Sequence, residues 1–193
     1  GKKIMEIVAI SGLINFIVSL YIFVFVFIKG RKQLANKFFI LMSCSVAMWS
    51  FGYWRWLLET LDYDKALFWL KFLSVGSIWV PIFLFLWIIF QFKDLVKNKV
   101  NKILSWVYPI LGIIFTLLSF TSLFVESVEQ KLFFVFWPNP GPFYIYYVIL
   151  CYASLTIYTS IILLKAYNRS YGQVKNQLKY VILGSVIAII GGF

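Results

Sequence analysis

The chain has 193 residues, of which 62% are hydrophobic, 21% aromatic and only 13% charged. A soluble domain of this length could not bury so much apolar surface, so the composition points to an all-α integral membrane protein, a polytopic transmembrane helical bundle. The formal net charge of +11 does not signal nucleic acid, because the basic residues fall in short segments between apolar runs and not along one face.

The first apolar run, residues 4–28, is too long for the core of a signal peptide and lacks a small-residue cleavage site. On it Ser11, Asn15 and Ser19 recur every four residues, so they share a helix face expected to look into the bundle, as packing contacts before ligand contacts. Lys29, Arg31, Lys32 and Lys37 follow without an acid. The second run, residues 38–58, crosses a hydrocarbon core of about 30 Å at about 1.5 Å per residue. Its Ser43, Ala47 and Ser50 form a small-residue face that admits a neighbouring helix. Arg55, near the end of this run, can anchor at the interface by snorkelling or pairing with Glu59, or it can meet a ligand anion. The acidic turn that follows (Glu59, Asp62, Asp64) is crowded by Tyr53, Trp54, Trp56, Tyr63, Phe68 and Trp69, which places it at a membrane surface.

The third run, residues 67–90, holds Pro81, which predicts a kink over 77–81. Trp79 lies too deep for an interface anchor, so it either packs in the bundle or lines a cavity. Four lysines against the single Asp94 follow. The fourth run, residues 103–125, carries Gly112, Thr116 and Ser119 on one face and a second kink at Pro109. After it, the apolar run 132–137 is closed by a proline-rich turn, which predicts a short hairpin or a flap over the bundle mouth. The fifth run, residues 143–165, begins directly after Pro142, with Tyr152, Thr156 and Thr159 as its polar face. Lys165, Arg169, Lys175 and Lys179 mark the next connection, where Asn168-Arg169-Ser170 matches a glycosylation sequon by chance. The last run, residues 180–193, would cover only about 21 Å as a helix and reads as an incomplete span. The expectation is one transmembrane sensor domain over 1–193, with five complete spans and a truncated sixth of seven.

Twelve of the 18 Lys and Arg residues lie in the first, third and fifth connections, and six of the seven acids lie in the N-terminus and the second and fourth. By the positive-inside rule the odd connections are cytoplasmic and the N-terminus is outside, in a multi-pass plasma-membrane protein. Cys44 and Cys151 stand alone within apolar runs and histidine is absent, so neither a metal nor a cofactor is expected. A membrane-embedded enzyme would need a nucleophile with its base or paired carboxylates; the acidic turn is explained by solvation, so this stretch reads as non-enzymatic. A small transporter or lipid carrier is the alternative, disfavoured by the lack of a deep carboxylate in the first five runs.

The ordered set Asn36-Lys37-Phe38-Phe39, Met48-Trp49-Ser50-Phe51-Gly52-Tyr53, Phe68-Trp69-Leu70-Lys71 and Trp79-Val80-Pro81 resembles the N-terminal seven-helix sensor region of bacterial membrane histidine kinases. Gly141-Pro142-Phe143-Tyr144, Lys175-Asn176-Gln177-Leu178-Lys179-Tyr180, Gly184 and Gly191-Gly192 resemble later landmarks of the same family. The resemblance implies a sensory input module of a two-component system. A seventh span would lead into cytoplasmic signalling domains in cis, usually a sensor domain and a dimeric kinase and sometimes a cyclic-dinucleotide enzyme, and the assembly would be a homodimer in the lipid bilayer. It carries over no ligand-binding residues. From the physical reading, Trp49, Tyr53, Arg55, Trp56 and Trp79 are the candidates to line a site for an extracellular or lipophilic ligand.

Overall fold

The structure, a computed structural model, describes the backbone of residues 2–30 and 32–191, and the side chains within 5–30 and 32–186. Arg31 of the first basic segment, Gly192 and Phe193 lie outside the described residues.

Five helical stretches are long and apolar enough to cross a membrane: Met5–Gly30, Leu34–Leu58, Tyr63–Gln91, Lys99–Ser119 and Tyr144–Arg169. They belong to helices α1 (Lys2–Gly30), α2 (Leu34–Leu58), α3 (Tyr63–Gln91) and α5 (Lys99–Ser119), and to a composite fifth stretch. That stretch consists of α6 (Tyr144–Tyr147), a π-helical segment (Val148–Ala153) and α7 (Ser154–Arg169). A short α4 (Lys93–Val96) bridges α3 and α5, and α8 (Gly172–Gly191) closes the chain. Two strands, β1 (Val125–Lys131) and β2 (Phe134–Pro140), pair antiparallel, with Glu129 opposite Trp137 and Lys131 opposite Phe134.

The helices begin where local chemistry can satisfy their free N–H groups. Asp62 caps α3 by accepting from the Lys65 backbone N–H at 3.0 Å, and Asn98 caps α5 by accepting from Asn101 N–H at 2.6 Å. The closest pairing is α2 against α3, and glycine makes it possible. A Cβ on Gly76 would lie 2.6 Å from the Trp49 backbone nitrogen and 2.7 Å from the Ser45 carbonyl, and one on Gly52 would lie 2.7 Å from Leu73 Cβ. In an apolar solvent such backbone contact supplies the packing that drives helices together. Ser43, Ala47 and Ser50 are buried, on the small-residue face expected of them. Helix α1 packs on α2, where Asn15 Nδ2 donates to Ser50 Oγ at 2.7 Å. Of the polar face expected on α1, only Ser19 is buried; Ser11 is exposed and bonds to its own Val8 carbonyl.

On its other side α3 meets α5 and α7. Ile78, Ile82 and Phe85 of α3 join Phe115, Tyr147, Cys151 and Leu155 in one apolar core, all buried. A second, smaller core gathers Ala9, Trp56, Leu57, Ala66, Leu70 and Val128 at the end of the bundle where the β-hairpin lies.

Three boundaries depart from the hydropathy reading. The fourth helix stops at Ser119, short of the expected 125. Thr121 ends it by donating to Leu118 O at 2.7 Å and accepting from Leu123 N–H at 3.2 Å, so the apolar residues 120–125 form a turn and enter β1. The hydrophobicity of 120–125 serves the hairpin's root, where Phe124 is fully buried and Gly141 N–H donates to its carbonyl at 2.9 Å. The long connection expected after residue 165 shrinks to Ser170 and Tyr171, because α7 runs to Arg169 and α8 starts at Gly172. Gly172 adopts φ +57, a left-handed conformation that glycine takes without a steric cost. The apolar run 180–193 is thus the distal part of a helix that begins eight residues earlier in numbering, at Gly172.

Candidate functional site

The hairpin end of the bundle is an aromatic cap built from α2, the start of α3 and β2. One face of α2 stacks its own rings, Trp49 on Tyr53 with centroids 5.5 Å apart and Tyr53 beside Trp56 at 5.7 Å. This follows from spacing, since residues three and four apart share a helix face. Trp56 then reaches the hairpin. Its ring stacks on Phe134 at 5.8 Å and 9°, it lies 6.1 Å from Trp137, and its indole N–H donates to the Phe136 carbonyl at 2.7 Å. Tyr63, at the start of α3, meets Phe136 edge to face. Trp56, buried with both its apolar face and its polar edge satisfied, is the tie from α2 to the hairpin, while Tyr63 and the core around Val128 join the hairpin to α3.

Arg55 faces away from this chain of rings. Its guanidinium lies over Trp54 at 5.7 Å and over Trp69 at 5.4 Å, within cation–π range of both. Glu59 does not pair with it, because the Glu59 carboxylate accepts from the backbone N–H groups of Leu61 and Asp62, both at 3.2 Å. The ion pair found among the described residues is instead Lys65 with Asp62 at 3.0 Å. Hydrogen bonding from the Lys65 backbone and side chain holds the Asp62 carboxyl below its ordinary value of 3.8.

Of the five candidate residues, Trp49, Tyr53 and Trp56 form one continuous row of ring contacts, the first pair stacked and the second tilted, and Arg55 shares their helix on a different face. Trp79 stands apart. It belongs to the α3–α5 contact, where its indole N–H donates to Thr116 Oγ1 at 3.0 Å and its ring stacks on Phe83 at 4.9 Å. Gly112 keeps that contact open, since a Cβ there would lie 3.2 Å from the Trp79 ring.

Sequence reasoning missed Tyr147. Pro81 has no N–H, so the carbonyl of Ser77, four residues earlier, has no partner within α3. Tyr147, at the last turn of α6, donates its hydroxyl to that carbonyl at 3.1 Å and is itself buried. The proline signals that an acceptor is left open, but no feature of the chain says which distant donor fills it. The π-helical segment follows Tyr147 immediately.

Cavities of about 490 and 330 Å³ lie elsewhere, one near Phe92 and Arg169 and one between α5 and α6 near Leu111 and Tyr146. Among the described residues, no group of three or more His, Cys, Asp and Glu could hold a metal ion, and Cys44 and Cys151 are free thiols.

The family described as the N-terminal 7TM region of histidine kinase matches residues 7–193. No curated protein and no solved structure matches the chain.

Proposed function

This chain belongs to the family of N-terminal 7TM regions of histidine kinases, and from that premise we propose that it is a non-catalytic sensory input of a two-component system. It is read as the membrane part of a seven-span protein whose kinase domains follow in cis in the cytoplasm. The N-terminus, the α2–α3 turn and the β-hairpin face outward, and the lysine-rich ends face inward. The signal is an extracellular or membrane-borne amphiphile that meets the aromatic cap, with Trp49, Tyr53 and Trp56 as its apolar surface, while Arg55, on another face of α2, anchors that helix end over Trp54 and Trp69. Trp79 serves the relay and not the ligand surface.

The observation that carries this reading is the Trp56 link, an indole hydrogen bond of 2.7 Å to the hairpin backbone next to a parallel ring stack. A ligand that wedges between hairpin and α2 must break or reshape that link, so it binds two arrangements of the cap with different affinity. Helix α3 runs from the cap past Pro81, where the Tyr147 hydroxyl ties it to the composite fifth stretch through the Ser77 carbonyl. A change in α3 tilt therefore reaches α7 and α8 through packed helices, and a few kcal/mol of differential binding suffices to shift the populations.

The test is autophosphorylation of the full-length kinase in proteoliposomes. Trp56→Phe keeps the stack and loses the donor, and it should change the basal phosphorylation level while leaving ATP affinity unchanged. Wild-type phosphorylation in that variant would refute the cap as the input.

A further inference from the structure

At the end of the bundle opposite the hairpin, a cavity of about 490 Å³ opens between the α3–α4 junction and the α7–α8 junction. Phe92 forms a buried apolar floor flanked by Leu95 and the exposed Val174, and the lining also carries Arg169 and Asp94 with the amides of Gln91 and Gln177. Phe92 is buried, whereas both charged side chains are exposed. Arg169 lies in the last turn of α7 and Asp94 in the first turn of α4, so each complements the dipole of its own helix. That explains where each sits along the chain. It does not explain why two opposite charges line one cavity and form no ion pair with each other or with another group among the described residues.

We propose that this cavity binds a phosphoethanolamine headgroup, carried by phosphatidylethanolamine, with the phosphate on Arg169 and the ammonium on Asp94. The cavity adjoins Gln91 and Arg169, the last residues of two membrane-crossing stretches, so it stands at headgroup depth. Pockets in such positions between transmembrane helices are suited to lipid headgroups. The apolar floor takes the glycerol and the first part of the acyl chains, and the two glutamines supply further donors and acceptors. A guanidinium offers a planar fork that matches phosphate. A primary ammonium donates hydrogen bonds to a carboxylate, which the trimethylammonium of phosphatidylcholine cannot do. Phosphatidylglycerol presents no cation to Asp94. Lys93 and Lys175, next in sequence to residues of the lining, raise the local attraction for phosphate without contributing to the choice between headgroups.

The experiment is native mass spectrometry of the detergent-purified, delipidated protein titrated with short-chain phosphatidylethanolamine, phosphatidylglycerol or phosphatidylcholine. Phosphatidylethanolamine should bind about tenfold more tightly than either, the worth of one charge-assisted hydrogen bond. Arg169→Gln should weaken it by about tenfold, and Asp94→Asn should erase its advantage over phosphatidylglycerol. Lys32→Gln, a charge lost at the α1–α2 turn, should leave it unchanged. Soluble phosphoethanolamine should compete only poorly because it cannot use the apolar floor. Equal binding of phosphatidylglycerol that Asp94→Asn does not alter would reduce the site to general attraction by a basic surface and overturn the proposal. Full competition by soluble phosphoethanolamine would overturn the lipid as the ligand. Both results leave the sensor reading untouched, since that reading is tested at the opposite end of the bundle.

Discussion

Pro81 and Tyr147 form a residue-scale exchange of hydrogen-bonding capacity: one withholds a donor from the Ser77 carbonyl and the other supplies it, 70 positions from Ser77 in sequence. Tyr147→Phe should cost about 1–3 kcal/mol, because it strands the part-buried Ser77 carbonyl. Pro81→Ala restores the intrahelical N–H, so Tyr147→Phe on that background should cost far less. The four-way comparison of thermal stability in detergent reads this coupling directly, and additive costs would show that the hydroxyl does not serve the proline gap. Asp62 gives a pH signature at the same scale. Its folded carboxyl sits below 3.8, so in acid the folded protein binds fewer protons than the unfolded one. Its contribution is complete above pH 3.8 and is lost as pH falls through the lower folded value. Asp62→Asn should keep a cap on α3 and flatten that part of the acid limb in a pH series of melting temperatures. Most of this was illegible in the chain: proline marks an unfilled carbonyl and Asp62 marks a helix start, but the identity of Tyr147 as partner depends on tertiary placement.

At the scale of elements, apolar runs longer than the bilayer core revealed the five crossing helices, since length and hydropathy are set by the membrane itself. Their ends were less legible. Phe120, Leu123, Phe124 and Val125 are as apolar as a span, and only the helix end at Thr121 and the burial of Phe124 and Val125 show that the segment belongs to the hairpin's root. The residues after 165 are polar enough to read as a loop, yet α8 starts at Gly172 and buries Leu178 completely. The small-residue face Ser43, Ala47 and Ser50 announces a close neighbour, and at Ser50 that neighbour is α1, whereas α3 closes on α2 through Gly76 and Gly52, which the pattern does not single out. Gly76→Ala should destabilise by about 1–3 kcal/mol, because its Cβ would collide with backbone that cannot rotate away. Gly184→Ala, where nothing lies within 4 Å, should instead stabilise α8 by about 0.4–1 kcal/mol. A melt of both variants beside the parent checks the contrast.

At the scale of the whole molecule, the cap of Tyr53, Trp56, Phe134 and Trp137 lies at the hairpin end while Lys93, Lys97, Lys165 and Arg169 lie at the other. The proposed orientation predicts that a cysteine placed at Asp62 reacts with an impermeant probe on intact cells and one at Lys97 does not. The reverse pattern would invert the molecule. Trp49, Tyr53 and Trp56 could be chosen from sequence because helical spacing joins them on one face. The hairpin's share of the cap, Phe134, Phe136 and Trp137, could be located only as an apolar run, since pairing register and docking are properties of the assembled chain.

The π-helical segment Val148–Ala153 carries a consequence for chain length. A π turn holds one residue more than the α turn it replaces, so it is an insertion that the helix has absorbed. Deleting the exposed Ile149 should let that segment close into regular helix while Tyr147 still meets Ser77 and Leu155 still enters the core. The same deletion inside α1, at exposed Val18, would turn every later side chain of that helix by about 100° and misplace Ser19. Tolerance to a missing residue is therefore concentrated in one turn of the fifth stretch, and a scan of single-residue deletions, read by folded yield, should find it there.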